Sequence, residues 1–409
     1  MAVVKKLPGR PTFLRLAAEH PEYRRLWVAR TVSQCGDIAQ FTTIALLVFH
    51  LTHTGLGVSI LAIAEIAPVV LLAPIAGTVA DRLPRARVMM AADVTRFVLA
   101  SLLTVFHDDV VVVYALAFGM SAGSAFFNPA AGSLLPSLVS EDELIAANSG
   151  IWSAAVLSQV LLAPIAGLIV SVAGYAPAFA FNAGTFAASA LFLLGLHSET
   201  RPSRSGRLGI FHQSREIVGM LVRDRLLRAL LVAQALAALS AGSTSALLVV
   251  LARERLRVGG TGFGLMLGAI AIGAFSGPII LSRAGSRLRR QDQVFAAFGL
   301  RGIVDLALAT ITSVPASLVV LVGYGLGTSS GNVAFNTLIQ SHVIDERRGR
   351  VFATFDLVWQ SMRLLSLVGG GLLADALGIR AVYFVGGILL LAAAIAGSVI
   401  ASRGSATRP

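Results

Sequence analysis

Charge is scarce in this sequence. Aspartate, glutamate, lysine and arginine make up 13% of its 409 residues, whereas 56% are hydrophobic and the mean hydropathy is +0.80. Soluble domains carry roughly 25% charged residues, so this composition excludes an ordinary soluble protein. Apolar stretches recur from about residue 26 to residue 402, each near the ~20 residues that a helix needs to cross a ~30 Å hydrocarbon core. The sequence therefore predicts a polytopic membrane protein.

Cysteine and lysine are nearly absent. The one cysteine, Cys35, excludes an intramolecular disulfide. Neither lysine, Lys5 or Lys6, follows the glycine-rich run of an ATP-binding loop. The seven histidines are scattered along the chain, whereas a membrane enzyme or a metal site would need histidine, cysteine or acidic residues clustered at one membrane face. The sequence thus predicts no catalytic residues, no metal and no cofactor.

Twelve apolar stretches are long enough to span a bilayer, and each is expected to be helical because an open strand leaves backbone polar groups unsatisfied in lipid. Their approximate limits are 26–49, 57–80, 88–106, 110–136, 144–171, 177–197, 227–252, 261–282, 293–312, 315–340, 351–376 and 380–402. The sequence predicts five parts. They are an N-terminal segment (1–25), a first six-helix bundle (26–197), an arginine-rich linker (198–226), a second six-helix bundle (227–402) and a tail (403–409).

The basic residues predict the orientation of the chain. Of the 33 lysines and arginines, 25 lie on the side of the N-terminus, four lie within spans and four lie on the opposite side. Loops rich in lysine and arginine stay in the cytoplasm, so both termini are predicted to be cytoplasmic, in the inner or plasma membrane. The arginines are not interleaved with aromatic residues as on a nucleic-acid surface, so we expect no nucleic-acid partner.

Two internal repeats indicate how the spans are arranged. Residues 123–139 align without gaps to residues 327–343, an offset of 204. The heptapeptide LLAPIAG occurs at 71–77 in the second span and again at 161–167 in the fifth, the middle helices of two three-helix groups with opposite membrane direction. Parallel halves that each contain inverted triplets are typical of one transporter architecture. The predicted fold class is an all-α membrane protein with twelve transmembrane helices in two pseudo-symmetric six-helix bundles.

A charged motif, GTVADRLPRARV, follows the second span at 77–88, and NPAAGSLLPSLVSEDELIAANS connects the fourth and fifth spans at 128–149. The first motif resembles the cytoplasmic G-xxx-D-R-x-G-R-R motif of the major facilitator superfamily, with proline in place of the second glycine. With the second motif, the chain resembles the branch of the enterobactin exporter and related bacterial drug and secondary-metabolite exporters. The conformational gate that this resemblance implies consists of Gly77, Asp81, Arg82, Arg85, Arg87, Asp93 and Arg96.

Asp81 is the central residue of the implied gate. In the resembling family this aspartate docks on the N-terminal end of span 11 in the outward-open state, where an anion is favoured by the helix dipole. Gly77 is expected to permit close packing where span 2 ends, and Pro84 to stiffen the turn. The alternative for the whole segment is a solvated loop between two buried helices.

Span 5 bears on the direction of transport. Antiporters of the resembling family carry a glycine-proline motif there, and three of its six positions match, at Gly150, Pro164 and Gly167. The match favours export over uptake. Small residues and a proline also allow helices to pack closely, and the sequence leaves both explanations open.

Two acids inside the spans, Asp37 and Glu65, have no basic residue within one helical turn. A central charge costs at least ~2.5 kcal/mol by insertion scales, so each acid needs a partner or a purpose. The leading hypothesis is that one of them carries a proton inward as substrate leaves. A hydrogen-bonded structural acid, or a contact to a cationic substrate, is the alternative.

Two further acids within the spans each have an arginine on the same face of their own helix. Asp93 and Arg96 are spaced i, i+3, and Arg301 and Asp305 are spaced i, i+4, which predicts local neutralisation. Arg363, in the middle of span 11, either pairs with an acid or binds an anionic substrate.

Polar and aromatic side chains within the spans are expected to line a substrate cavity, because amides that face lipid lack hydrogen-bond partners. The candidates are Gln34, Gln40, Asn128, Trp152, Gln159, Asn332, Asn336, Trp359, Gln360 and Arg363.

These features predict a secondary active transporter that exports an amphipathic small molecule (a drug, siderophore or secondary metabolite) by alternating access, driven by proton entry. We expect it to act as a monomer, with substrate, protons and the lipid bilayer as partners. Proton-coupled uptake or facilitated diffusion of a nutrient is the alternative among transporters. A non-transporting membrane sensor or an enzyme is the alternative outside that class.

Overall fold

The apolar stretches form long helices in the computed structural model, which describes residues 13–196, 219–284 and 289–402. No strand occurs within those ranges. The helices of seven residues or more are α1 (Phe13–Glu19), α2 (Pro21–Thr52), α3 (Gly55–Arg82), α4 (Arg85–Val105), α5 (Val110–Leu134), α6 (Leu144–Ala173), α7 (Tyr175–Leu194), α8 (Arg225–Ala246), α9 (Gly260–Ala284), α10 (Arg290–Thr310), α11 (Val314–His342), α12 (Asp345–Leu377) and α13 (Ile379–Ser402).

Helices α2 to α13 are long and apolar enough to cross a bilayer, which confirms the twelve predicted spans in number and order. Most boundaries differ from the prediction by a few residues. The seventh span ends earlier than predicted, because α8 ends at Ala246 and the chain continues through a short helix, Leu248–Val250, and a π-helical turn, Leu251–Arg255. The predicted tail and most of the predicted linker, with the first twelve residues, lie outside the described residues.

The backbone repeats the internal offset seen in the sequence. Gly174, between α6 and α7, has φ of 86°, and Gly378, between α12 and α13, has φ of 82°. These two glycines lie 204 positions apart, and a left-handed backbone favours glycine because it has no Cβ. The fifth-to-sixth and eleventh-to-twelfth connections are therefore equivalent turns.

The chain folds into two compact units, each dominated by one half of the sequence. Pieces of α2, α3 and α6 group with the second half. Unit 1 comprises Met1–Thr43, Ala64–Leu162 and Val172–Arg204, and unit 2 comprises Ile44–Ile63, Ala163–Ser171 and Ser205–Pro409. The domain bounds drawn from the sequence stay a prediction.

Each unit has its own apolar core. In unit 1, Leu16 of α1 and Tyr23 of α2 are fully buried together with Phe127, and the Tyr23 hydroxyl donates to the Ala147 carbonyl at 3.1 Å. In unit 2, Phe295 and Phe355 belong to the buried cluster. Polar side chains inside the spans are therefore surrounded by apolar packing, which strengthens the hydrogen bonds that they make.

Asp375, near the end of α12, caps the first turn of α3 within unit 2. Its Oδ1 accepts from the Gly55 amide at 2.6 Å and its Oδ2 accepts from the Leu56 amide at 3.1 Å. The first amides of a helix have no partner within it, and a carboxylate placed there also interacts favourably with the helix dipole.

Replacing Asp375 by alanine is expected to lower the free energy of unfolding by about 0.5–2 kcal/mol, the usual cost of losing a helix cap, and to speed hydrogen exchange at Gly55 and Leu56. Asp109→Ala is the matched control, since Asp109 caps α5 by accepting from the Val111 amide at 2.8 Å. The control should destabilise the protein without changing exchange at Gly55 and Leu56. Equal exchange at those amides in all three proteins would contradict this role of Asp375.

Candidate functional site

The two acids that lack a basic neighbour in sequence line one cavity in unit 1. Asp37 on α2 and Glu65 on α3 face a space of about 200 Å³, together with Ser121 and Ser124 of α5 and the aromatic ring of Phe41. The sequence shows nothing polar beside Glu65 along α3. Its polar neighbours come from α2 and α5, so helix packing supplies what the linear pattern does not.

Hydrogen bonds hold the walls of this cavity in place. The Ser121 hydroxyl donates to the backbone carbonyl of Glu65, joining α5 to α3. Gln40, which also lines the cavity, accepts from the Asn182 amide of α7. A Cβ at Gly36 would overlap the Thr185 hydroxyl, so this glycine allows α7 to approach α2 closely enough for that bond.

Arg96 of α4 binds two residues of the cavity wall, Asp37 and Ser124, and joins three helices. Its Nη1 donates to both carboxylate oxygens of Asp37, at 3.3 and 3.4 Å, and to the Ser124 hydroxyl at 3.3 Å. Its Nη2 donates to the Ser33 hydroxyl at 3.0 Å and to Asp93, the partner that the i, i+3 spacing predicts. Asp37 thus has a basic partner after all, contributed by another helix.

Aromatic rings pack against the Arg96 guanidinium, and a glycine leaves room for the aliphatic part of its side chain. Its Cζ lies 4.7 Å from the ring centroid of Phe127 and 4.4 Å from that of Phe186, distances at which a cation is attracted to a ring face. A Cβ at Gly123 would lie 2.8 Å from Arg96 Cγ. The arginine is therefore held by α5 and α7 as well as by its acids.

The two acids bound to Arg96 differ in their access to the cavity. Arg96 and Asp93 are buried, with side chains 1% and 0% exposed, whereas the Asp37 side chain is 39% exposed. The second oxygen of Asp93 accepts from the Ser189 hydroxyl at 2.5 Å. Asp93 is consequently a structural partner of Arg96, and Asp37 is the acid that a proton or a ligand can reach.

Unit 2 has a buried arginine and acid of its own, arranged differently. Arg301 donates to the Tyr324 hydroxyl at 3.1 Å and lies 4.9 Å from the centroid of that ring. Asp305 is fully buried and accepts from the Ser240 hydroxyl at 3.3 Å. The described residues contain no direct ion pair between Arg301 and Asp305, and their local neutralisation stays a prediction. The guanidinium turns to Tyr324 on α11 instead.

A second polar cavity, of about 370 Å³, lies in unit 2 between α8, α11 and α12. It brings together three of the predicted cavity residues, Asn332, Asn336 and Trp359, with the acid Asp356. The rings of Phe335 and Phe355, which also line it, pack edge to face with centroids 5.2 Å apart. This wall offers amide groups, one carboxylate and aromatic faces to a ligand.

A third cavity, of about 360 Å³, lies in unit 1 between α2 and α6. It contains the predicted residues Gln34 and Trp152, together with Arg30 and Asn148. The remaining candidates, Asn128, Gln159, Gln360 and Arg363, line none of these three cavities.

The charged motif lies at the end of α3 and the start of α4, so Asp81 and Arg82 are helical rather than part of a loop. The Arg85 guanidinium donates to the Ser133 carbonyl at 2.8 Å, whereas the side chains of Asp81 and Arg82 make no hydrogen bond or ion pair within the described ranges. A Cβ at Gly77 would meet no atom within 4 Å. The close packing expected at Gly77 is therefore absent from this structure.

The span-5 residues lie at tight helix contacts. Gly150 is buried, and a Cβ there would lie 2.7 Å from Phe13 Cβ and 2.8 Å from the Tyr23 hydroxyl. Gly167, one turn after Pro164, has its backbone against that of Gly260 on α9. Both glycines thus allow close packing of α6.

The sequence gives no signal for several residues of the site. Serines and phenylalanines occur in most spans, and only the packing of helices selects those that surround Arg96. The residues missed in this way are Ser33, Ser124, Phe186 and Ser189.

Comparisons with known proteins agree with this architecture. The family model of the Major Facilitator Superfamily matches residues 26–367 and 230–408. The uncharacterized MFS-type transporter YfiS of Bacillus subtilis is 24% identical over 386 residues, which cover 90% of each chain. The putative bacilysin exporter BacE of Bacillus amyloliquefaciens is 25% identical over 378 residues, covering 90% of this chain and 93% of the relative. A crystal structure of a bacterial homologue of the iron transporter ferroportin has a TM-score of 0.76 at 18% identity, covering 94% of this chain and 99% of that one.

Proposed function

The chain belongs to the Major Facilitator Superfamily, and from that premise we propose that it is a proton-driven exporter of an amphipathic small molecule. Membership confirms the predicted superfamily and the all-α, twelve-helix fold class. The protein is a multi-pass membrane transporter with a small-molecule substrate, rather than an enzyme. Export, proton coupling, the inner or plasma membrane, cytoplasmic termini and action as a monomer are parts of the proposal.

The observation that carries the proposal is that Asp37 and Glu65 line one cavity and that Asp37 is bound to the buried Arg96. Two acids share the surroundings of a single buried cation, which also binds Asp93. Asp37 and Asp93 share one guanidinium, and Glu65 lines the same cavity, so a proton on one of the accessible acids lowers the negative charge of a low-dielectric site. Binding of a proton therefore changes the electrostatic interactions between the charged side chains of α2, α3 and α4.

Glu65 is the proposed proton carrier. The strength of the bond between Asp37 and Arg96 is proposed to depend on whether Glu65 is protonated. A proton on Glu65 removes one negative charge from the cavity and strengthens the hold of Arg96 on Asp37. Loss of that proton adds a like charge beside Asp37. The two states of Glu65 therefore favour different arrangements of α2 and α3, as coupling to alternating access requires.

Three features support the export direction and the orientation. The similarity to a putative bacilysin exporter over nine-tenths of the chain favours export. The matched span-5 residues Gly150, Pro164 and Gly167 favour antiport. The excess of basic residues on one side favours cytoplasmic termini. Asp81, in the last turn of α3, remains the proposed gate residue. The acid and the aromatic rings of the unit 2 cavity suit a substrate with apolar and cationic or polar parts.

The substitution Glu65→Gln is expected to abolish export driven by a proton gradient while leaving substrate exchange in the absence of a gradient. Glutamine has nearly the size of glutamate and resembles its protonated, uncharged form, but it cannot bind and release the proton. The measurement uses inverted membrane vesicles, with and without an imposed pH gradient, and a panel of fluorescent dyes and siderophores.

Asp108→Asn is the matched control, because this acid is 93% exposed and lies in a loop. It should transport as the unchanged protein does. Gradient-driven export that persists in the Glu65→Gln protein would remove Glu65 as the carrier. Transport that shows no gradient dependence in the unchanged protein would exclude proton-driven export and favour facilitated diffusion.

A further inference from the structure

A cavity of about 540 Å³ lies in unit 1 between α3, α4 and α5, and it shares no lining residue with the three polar cavities. Small side chains, including Ala91 and Ala92 of α4 and Ala122 of α5, form much of its wall, with Leu83 and Phe126 as larger apolar residues. The proposed transport reaction makes no use of this space.

The wall of this cavity is apolar except for two residues. Thr95 is satisfied within its own helix, because its hydroxyl donates to the Ala91 carbonyl at 2.9 Å. Arg87 is the other, and no acidic side chain lines the cavity. Ordered water needs two to four polar partners, which this wall does not provide. An apolar chain is the occupant that such a wall favours.

Arg87 supplies the charge at one end of the cavity. Its side chain is exposed and makes no hydrogen bond or ion pair with the described residues. Arg87 lies in the first turn of α4, which begins at Arg85, whereas Arg82 ends α3, and of these three arginines only Arg87 lines the cavity. A guanidinium there can bind an anion, and phosphate is the anion that its planar fork fits best.

The dimensions and position of the cavity match one membrane leaflet. From Arg87 to Thr95, α4 rises about 12 Å at 1.5 Å per residue, most of the half-thickness of a ~30 Å hydrocarbon core. Ala91 and Thr95 are exposed, and the exposed side of α4 continues with the apolar Val98 and Leu102. Because α4 is long and apolar enough to span a bilayer, an exposed apolar side of this kind is suited to contact with lipid.

We infer that this cavity binds an anionic phospholipid, with one acyl chain along α4 and α5 and the phosphate on Arg87. The leaflet is the cytoplasmic one under the orientation proposed above, and only this part of the inference rests on the proposed function. An anionic headgroup is favoured over a zwitterionic one because the cavity mouth is basic and has no carboxylate to receive an amine.

The test measures lipid binding to the full-length protein in detergent by native mass spectrometry, during titration with phosphatidylglycerol or phosphatidylethanolamine. Phosphatidylglycerol should bind more tightly. Arg87→Gln should weaken that binding about fivefold, the effect of one basic residue on attraction to an anionic lipid. Arg82→Gln is the matched control and should bind as the unchanged protein does, because Arg82 does not line the cavity.

Filling the cavity gives an independent readout. Ala122→Leu should lower the occupancy of phosphatidylglycerol, and Ala91→Leu, at an exposed position, repeats the test if the first variant folds poorly. Photoreactive acyl chains should label the tryptic peptide 88–96, which carries the α4 wall. Equal binding by the Arg87→Gln and Arg82→Gln proteins, or labelling spread evenly over the spans, would overturn the proposal. Neither result depends on transport, so the exporter proposal is tested separately.

Discussion

Replacing Arg96 by methionine is expected to lower the free energy of unfolding by about 3–5 kcal/mol, the usual effect of removing one partner from a buried ion pair. Methionine keeps much of the apolar volume of the side chain. It leaves Asp93 fully buried without its cation and removes the bond to Asp37. Thermal unfolding in detergent measures the loss, and transport in vesicles should be absent.

Arg301→Met in unit 2 is the matched control for this prediction. Arg301 is also buried and also stacks on an aromatic ring, but its described contacts include the Tyr324 hydroxyl and no carboxylate within ion-pair distance. Its loss should cost about 1–2 kcal/mol, as expected for one hydrogen bond and a cation–π contact. Equal losses in the two variants would mean that buried volume, rather than charge pairing, stabilises the Arg96 site.

A second substitution separates charge from geometry. Adding Asp93→Asn to Arg96→Met removes the uncompensated carboxylate, and replacing both members of a buried pair costs far less than removing one. The double variant should therefore be more stable than Arg96→Met alone. A double variant that is less stable would show that Asp93 has another essential partner, such as the Ser189 hydroxyl that it accepts from.

The contacts of Arg96 show which parts of the site were predictable. Asp93 lies three residues away on the same helix, so the helical period alone predicts the pair. Asp37 lies 59 residues away on α2, and that contact depends on how α2 and α4 pack. The periodicity along one helix does not predict contacts between helices. Asp37 therefore has no partner in the sequence-based prediction, although Arg96 binds it in the structure.

Twelve spans were predictable because span length follows from the thickness of the bilayer, and the repeat follows from the fixed offset between the halves. The i, i+4 spacing of Arg301 and Asp305 is a weaker guide. Spacing places two side chains on one helical face, but Arg301 adopts a conformation that reaches Tyr324. Side-chain spacing thus predicts which residues can meet, and competing partners on other helices decide whether they do.

The substitution Gly167→Leu is expected to separate α6 from α9 and to abolish coupled transport. A Cβ at Gly167 would overlap the backbone carbonyl of Gly260, and one at Gly264 would overlap the carbonyl of Ala163. Two small residues four apart on each helix let the backbones touch, a typical way for membrane helices to associate. Backbone atoms cannot rotate aside, so the helices must move apart, at a cost of about 1–3 kcal/mol from overpacking.

A cysteine pair measures the separation directly. The Thr261 hydroxyl donates to the Ser171 hydroxyl at 3.3 Å across the same contact. In a Cys35→Ser background, Ser171→Cys with Thr261→Cys should form a disulfide readily, and Gly167→Leu should slow it. Gly184→Leu is the control, because a Cβ there meets no atom within 4 Å. Unchanged disulfide formation with lost transport would show that Gly167 contributes something other than this helix contact, and unchanged transport would exclude a role for it in coupling.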